Sequence, residues 1–130
     1  MKDKKKWMMA AVVATGALIG RICYECRHFT TEYYDVASDK IPEAFEGFRF
    51  VVLSDLHNYD FDQGNRQLLG AIERLKPDAV MIAGDMIDAH PGADMSVAVR
   101  MVRDLCDRWP VYFGNGNHEQ RIALYPETYG

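Results

Sequence analysis

The sequence predicts an α/β fold: a mainly parallel sheet covered by helices and preceded by a transmembrane helix. Three observations predict it. Apolar runs at residues 48–53, 79–83 and 111–113 read as short buried strands. Apolar residues at helical spacing lie between them, so the order is β-α-β-α-β with right-handed crossovers. An uncharged N-terminal stretch comes after a cluster of lysines, which is the pattern of a membrane segment.

The N-terminal element comes first. Residues 2–6 hold four lysines and one aspartate, and no charge then occurs until Arg21. A spanning helix needs about 20 apolar residues, so this stretch suffices only if Arg21 snorkels toward the interface. Small residues around 14–17 also resemble a signal-peptide cleavage region. An uncleaved signal-anchor is the favoured reading, a cleaved peptide the second. A buried soluble helix fits poorly beside the lysines. The lysines would stay in the cytoplasm, placing the remaining chain on the other side. The expected division is therefore 1–27 for the basic N-terminus and anchor, and 28–130 for one globular domain.

Residues 30–36 are rich in strand formers, and Ile41-Pro42 and Gly47 punctuate the stretch after them. An edge strand and a connection are expected there. The strand at 48–53 is nearly all apolar at its end and suits burial on both faces of a parallel sheet. Leu68, Leu69, Ile72 and Leu75 form a helical stripe ended by Lys76-Pro77. After the strand at 79–83, Ala98, Met101, Val102 and Leu105 form a second stripe ended by Trp109-Pro110.

Composition narrows function by exclusion. With 48% hydrophobic and 26% charged residues the chain is ordinary for a globular protein. A net charge of −4, without basic runs beyond the N-terminus, predicts no nucleic-acid partner. Three cysteines do not make a disulfide framework. Cys23 and Cys26 could serve a redox or metal role or be acylated, although a chance match explains them more simply. Cys106, on a helix face, reads as a small buried apolar residue.

Polar residues gather where each strand ends: Ser54-Asp55-Leu56-His57-Asn58, then Gly84-Asp85-Met86-Ile87-Asp88, then Gly114-Asn115-Gly116-Asn117-His118-Glu119. The carboxyl ends of parallel strands share one rim, so the three clusters should meet. Singly, each residue could be a helix cap, a turn former or a surface group. Together they mix carboxylate, amide and imidazole donors, a set suited to manganese, iron or zinc. Asp85 could bridge two cations. Gly84 and Gly116 remove side chains where the backbone turns or approaches closely.

The order Asp-x-His, Gly-Asp-x-x-Asp, Gly-Asn-His-Glu resembles the calcineurin-like metallophosphoesterases, and residues 41–119 carry the likeness. The context Leu-Ser-Asp-Leu-His-Asn is similar to their bacterial membrane-anchored branch. The resemblance implies the N-terminal half of an αββα sandwich and two divalent metal ions. It implies that Asp55 and His57 bind the first metal, Asp85 bridges both, and Asn117 binds the second. His118 would protonate or electrostatically stabilise the leaving oxygen during in-line displacement on a phosphate ester. Glu119 and Asp88 would hold the loops or His118 in place.

The family pattern also contains an isolated His and a Gly-His-x-His, and no histidine occurs after Glu119 here. The first metal would then lack one ligand and the second two. The expectation is a membrane-anchored phosphoesterase fragment, inactive alone. A noncatalytic membrane-tethered α/β binding module is the alternative. A nucleotide-binding α/β domain is disfavoured because no Gly-rich phosphate loop comes after the first strand.

Overall fold

A computed structural model describes residues 2–25 and 27–129. The chain divides into two compact units, the first ending at Asp35 and the second beginning at Val36.

In the first unit one helix dominates, α1 (Lys2–Glu25). Its stretch Lys4–Glu25 is long and apolar enough to cross a membrane. At 1.5 Å per residue, 22 residues span about 33 Å, close to a bilayer's hydrocarbon thickness. None of that stretch is buried, so α1 is not a core helix; a signal sequence fits the same description. The Arg21 Nη2 lies 2.7 Å from Glu25 Oε1, one turn on, so a neighbouring carboxylate offsets its charge. Beyond α1, His28 Nδ1 donates to the Tyr24 carbonyl at 2.7 Å, and the two rings stack at 3.9 Å.

The edge strand expected at 30–36 is absent. Tyr33 and Tyr34 are largely exposed, and no neighbouring strand pairs with them among the described residues. Strand propensity without a ladder partner does not make a strand. Cys23 is exposed, while Cys26 and the Cys-x-x-Cys reading lie outside the described residues.

The second unit holds β1 (Phe50–Leu53), α2 (Arg66–Leu75), β2 (Ala79–Ile82), α3 (Ser96–Cys106), β3 (Val111–Phe113), α4 (Asn117–Leu124) and α5 (Pro126–Tyr129). The three strands form one parallel sheet in the order β1-β2-β3. The β-α-β-α-β reading is thus what the chain folds into, with a short helical turn at Glu43–Phe45 ahead of it.

α2 and α3 are each made by an apolar stripe. α2 buries Leu68, Leu69 and Ile72; α3 buries Ala98, Met101 and Leu105. Asp62 Oδ1 accepts the Gln67 N–H and Asp94 Oδ1 the Ser96 N–H, satisfying otherwise orphaned first-turn donors. Lys76 turns left-handed (φ 50°) and Pro77 comes next, which stops α2 where expected. α3 stops at Cys106, before Trp109-Pro110. Cys106 corrects its expectation as well: it is exposed, because Leu105 takes the core position of that turn.

The sheet departs from burial on both faces. Val80 and Ile82 are buried, whereas Met81 between them is 41% exposed. In register with Met81 stand Val52 and Tyr112, each 61% exposed. One sheet face is therefore core and the other carries an apolar row open to solvent. Leu105, with no exposed surface, anchors the covered side. Leu105→Ala is expected to destabilise this unit by about 2–5 kcal/mol in chemical denaturation, the usual cost of emptying such a site.

Candidate metal centre

The strand-end loops are joined by backbone bonds that continue the sheet. Ala83 N–H donates to Leu53 O, Asp55 N–H to Gly84 O, His57 N–H to Asp85 O, and Asn58 N–H to Met86 O, at 2.8–3.2 Å. The apolar residues inside the motifs anchor them: Leu56 and Met86 are 7% and 2% exposed. Fixing Leu56 inward leaves Asp55 and His57 on either side of it free to face outward.

The third loop is tied to the second by side chains. Glu119 Oε2 accepts the Asp85 and Gly116 N–H groups at 2.8 and 2.9 Å, and its Oε1 accepts that of Met86 at 2.8 Å. Asp85 Oδ1 accepts the His118 N–H at 2.9 Å, which also satisfies the first turn of α4. Burial pushes the Glu119 pKa up, but the Asp85, Gly116 and Met86 amides outweigh it, and the net shift is downward.

Two glycines make the approach possible. A Cβ on Gly84 (φ 103°) would meet Gly116 N at 2.2 Å, and one on Gly116 would meet Asp85 Oδ1 at 2.2 Å. The close approach anticipated at these positions is that of one loop to the other.

Three of the sequence-predicted residues converge. His57, Asp85 and His118 each offer a ligand atom within 4.8 Å of the others. The His57 and His118 rings stand edge to face, with centroids 4.7 Å apart. Asp55 reaches this group through His57, with Oδ1 3.5 Å from His57 Nε2, and accepts the Ser54 hydroxyl on its other oxygen. Asp55 is 64% exposed at its side chain and His57 37%. Asn117 opens α4 beside His118. Asp88 Oδ1 lies 3.3 Å from His118 Nδ1, which also accepts the Ala89 N–H at 2.9 Å.

The donor set of imidazole and carboxylate fits a divalent ion of the manganese, iron or zinc type. Next to His57 in sequence, Asn58 Oδ1 is buried without a hydrogen-bond partner among the described residues. Such orphaned polar atoms are uncommon and often mark a place completed by water or an ion.

A family model for calcineurin-like phosphoesterases matches residues 48–130. The chain belongs to that family. It is also 30% identical over 91 residues to a Danio rerio protein, "Transmembrane protein with metallophosphoesterase domain". That alignment covers 68% of this chain and 21% of the relative, so the chain spans about a fifth of the relative's length. No solved structure matches it.

Sequence reasoning missed the backbone conformation of this phosphoesterase-family site. Asp55, His57, Asn58 and Asp85 all lie in the left-handed region, with φ between 48° and 59°. Non-glycine residues adopt it rarely, and neighbouring constraints must hold them there. It also missed α4, whose start places His118; Gly116 with a Glu three residues on was the available signal.

Two outcomes are expected. Gly116→Ala should destabilise the unit by about 1–3 kcal/mol through overpacking against Asp85. In contrast, Gly70→Ala, inside α2 and clear of backbone, should be neutral or stabilising by up to about 1 kcal/mol. Thermal unfolding of both variants checks this. Separately, the Glu119 pKa lies below its ordinary 4.5 in the folded state. Its contribution to stability is then complete above pH 4.5 and lost as pH falls through the lowered value. Acid titration of unfolding should show this component in the native chain and not in Glu119→Gln.

Proposed function

We propose that this domain belongs to a membrane-anchored phosphoesterase that hydrolyses phosphate mono- or diester or pyrophosphate bonds with two divalent metal ions. The convergence of His57, Asp85 and His118 carries this reading. When bound, the ions supply a Lewis acid and an activated water for in-line attack on phosphorus.

In this reading Asp55 and His57 would hold the first ion through their two nearby donor atoms. Asp85 would lend its carboxylate to the ions, its backbone pinned by Glu119 and its Oδ1 steadied by the His118 amide. Asn117 would contribute an amide oxygen to the second. His118 would face the leaving oxygen. The loops joined by Glu119 keep these groups in place before substrate arrives, so little ordering is left to the moment of reaction. Manganese, iron or zinc is the expected metal.

The proposed ligands Asp55, His57, Asp85 and Asn117 are fewer than two fully held ions require. The chain by itself is therefore expected to bind manganese and to hydrolyse an aryl phosphate negligibly. Calorimetric titration should show manganese affinity weakened about tenfold or more in Asp85→Asn relative to the native chain. Robust hydrolysis by the native chain that disappears in Asp85→Asn would overturn the inactivity.

Residues 1–27 act as the anchor in this proposal, with the lysines cytoplasmic and the phosphoesterase domain outside, in a single-pass arrangement. The unburied apolar surface of α1 supports it. The full chain should sediment with membranes through an alkaline carbonate wash, whereas a chain lacking residues 1–27 should not. Release of the full chain by carbonate would count against the anchor.

A further inference from the structure

The two ends of α1 treat their charges differently. At the far end Arg21 is answered by Glu25, 2.7 Å away. At the near end Lys4, Lys5 and Lys6 are exposed, and none of them joins an ion pair among the described residues. Positive charge is left over at one end only, next to Trp7, which is 78% exposed. An indole in that position belongs at the headgroup level of a bilayer.

The surface that continues from two of these lysines is concave. An open groove of about 610 Å³ runs down α1 from Lys5 and Lys6 to Ala17. Two adjacent rows of residues four apart line it: Met9, Val13 and Ala17 below Lys5, and Ala10 and Ala14 below Lys6. Lys4 is not part of the lining. At 1.5 Å per residue the groove is about 18 Å long, against about 15 Å for the hydrocarbon of one leaflet.

Charge and length together select an occupant. A second copy of α1 in the same orientation would set its own unpaired lysines beside these, and like charges repel. A zwitterionic lipid brings an ammonium to the same place. A lipid of net negative charge meets the lysines favourably and has a chain of the right length for the apolar rows. We propose that the groove below Lys5 and Lys6 seats one anionic phospholipid, its phosphate between the two ammonium groups and an acyl chain along the rows. This rests on the anchor reading and names the lipid that the anchor takes. In the proposed orientation the lysines face the cytoplasmic leaflet, where anionic lipids create the negative surface potential.

The test uses the full chain carrying Trp109→Phe, which leaves Trp7 as its one tryptophan, in mixed phosphatidylcholine and phosphatidylglycerol bilayers. Bromine on the acyl chains of either lipid quenches Trp7 fluorescence at close range. Phosphatidylglycerol is expected beside Trp7 at about threefold or more its share of the bilayer. Lys5→Gln and Lys6→Gln should each remove most of that enrichment. Ala14→Leu, which fills the groove, should do so with every lysine in place. Lys4→Gln removes the same charge outside the groove and should keep most of it. Equal loss in all three lysine variants would mean diffuse attraction to the surface and overturn the seat. Displacement by inorganic phosphate, beyond that of chloride at equal ionic strength, would overturn it too. So would energy transfer between labelled chains that Ala14→Leu abolishes, the mark of a second copy in the groove. Should Trp109→Phe fail to fold, the lipids retained by the unsubstituted chain in native mass spectrometry give the same ratio. A chain stripped from membranes by carbonate would overturn the anchor and the seat together, whereas a chain retained without enrichment overturns the seat alone.

Discussion

The site depends on one carboxylate. Glu119 takes the amides of Gly116, Asp85 and Met86 at once, and so joins two loops whose bonded residues stand 33 and 34 positions apart in sequence. A sheet can align three strand ends on a rim, but it cannot set the spacing of the loops that leave it. That spacing comes from an acceptor with two oxygens placed between amide donors that would otherwise be orphaned. The glycine contact and the Asp85–His118 bond are both consequences of the distance it imposes.

The sequence disclosed most where information is local. The strands, the helical stripes and the three motif blocks were legible because periodicity and residue type alone specify them. The illegible features depended on partners. Residues 30–36 look like a strand and are none, for want of a neighbour. Cys106 was misread because its side of the helix, and not its residue type, decides its surroundings. The proposed site residues Asp55, His57, Asp85, Asn117 and His118 come from motif order, but the left-handed backbone beneath three of them could not be read from it.

The two units have opposite relations to solvent. In the second, Leu56, Met86, Leu105 and Ile72 are withdrawn and the polar loops are held outward by them. In the first, the apolar side chains of α1 remain outside, and its charged residues Arg21 and Glu25 satisfy each other. The same hydrophobic effect governs both, through a folded core in one and through an apolar surface suited to lipid in the other.

The left-handed backbone at Asp55, His57 and Asp85 sets two selective pressures against each other. Glycine is the residue each of those backbones would accept with least strain, and it brings no donor atom. Random substitution with a screen for thermal robustness would drift toward glycine at Asp55 and His57, whereas at Asp85 relief of strain is set against loss of the Oδ1 that accepts the His118 N–H. On the proposed ligand set, a screen for metal retention would hold the same three positions fixed. Stability engineering of this domain therefore has to exempt them by name, since the fold itself gives no warning.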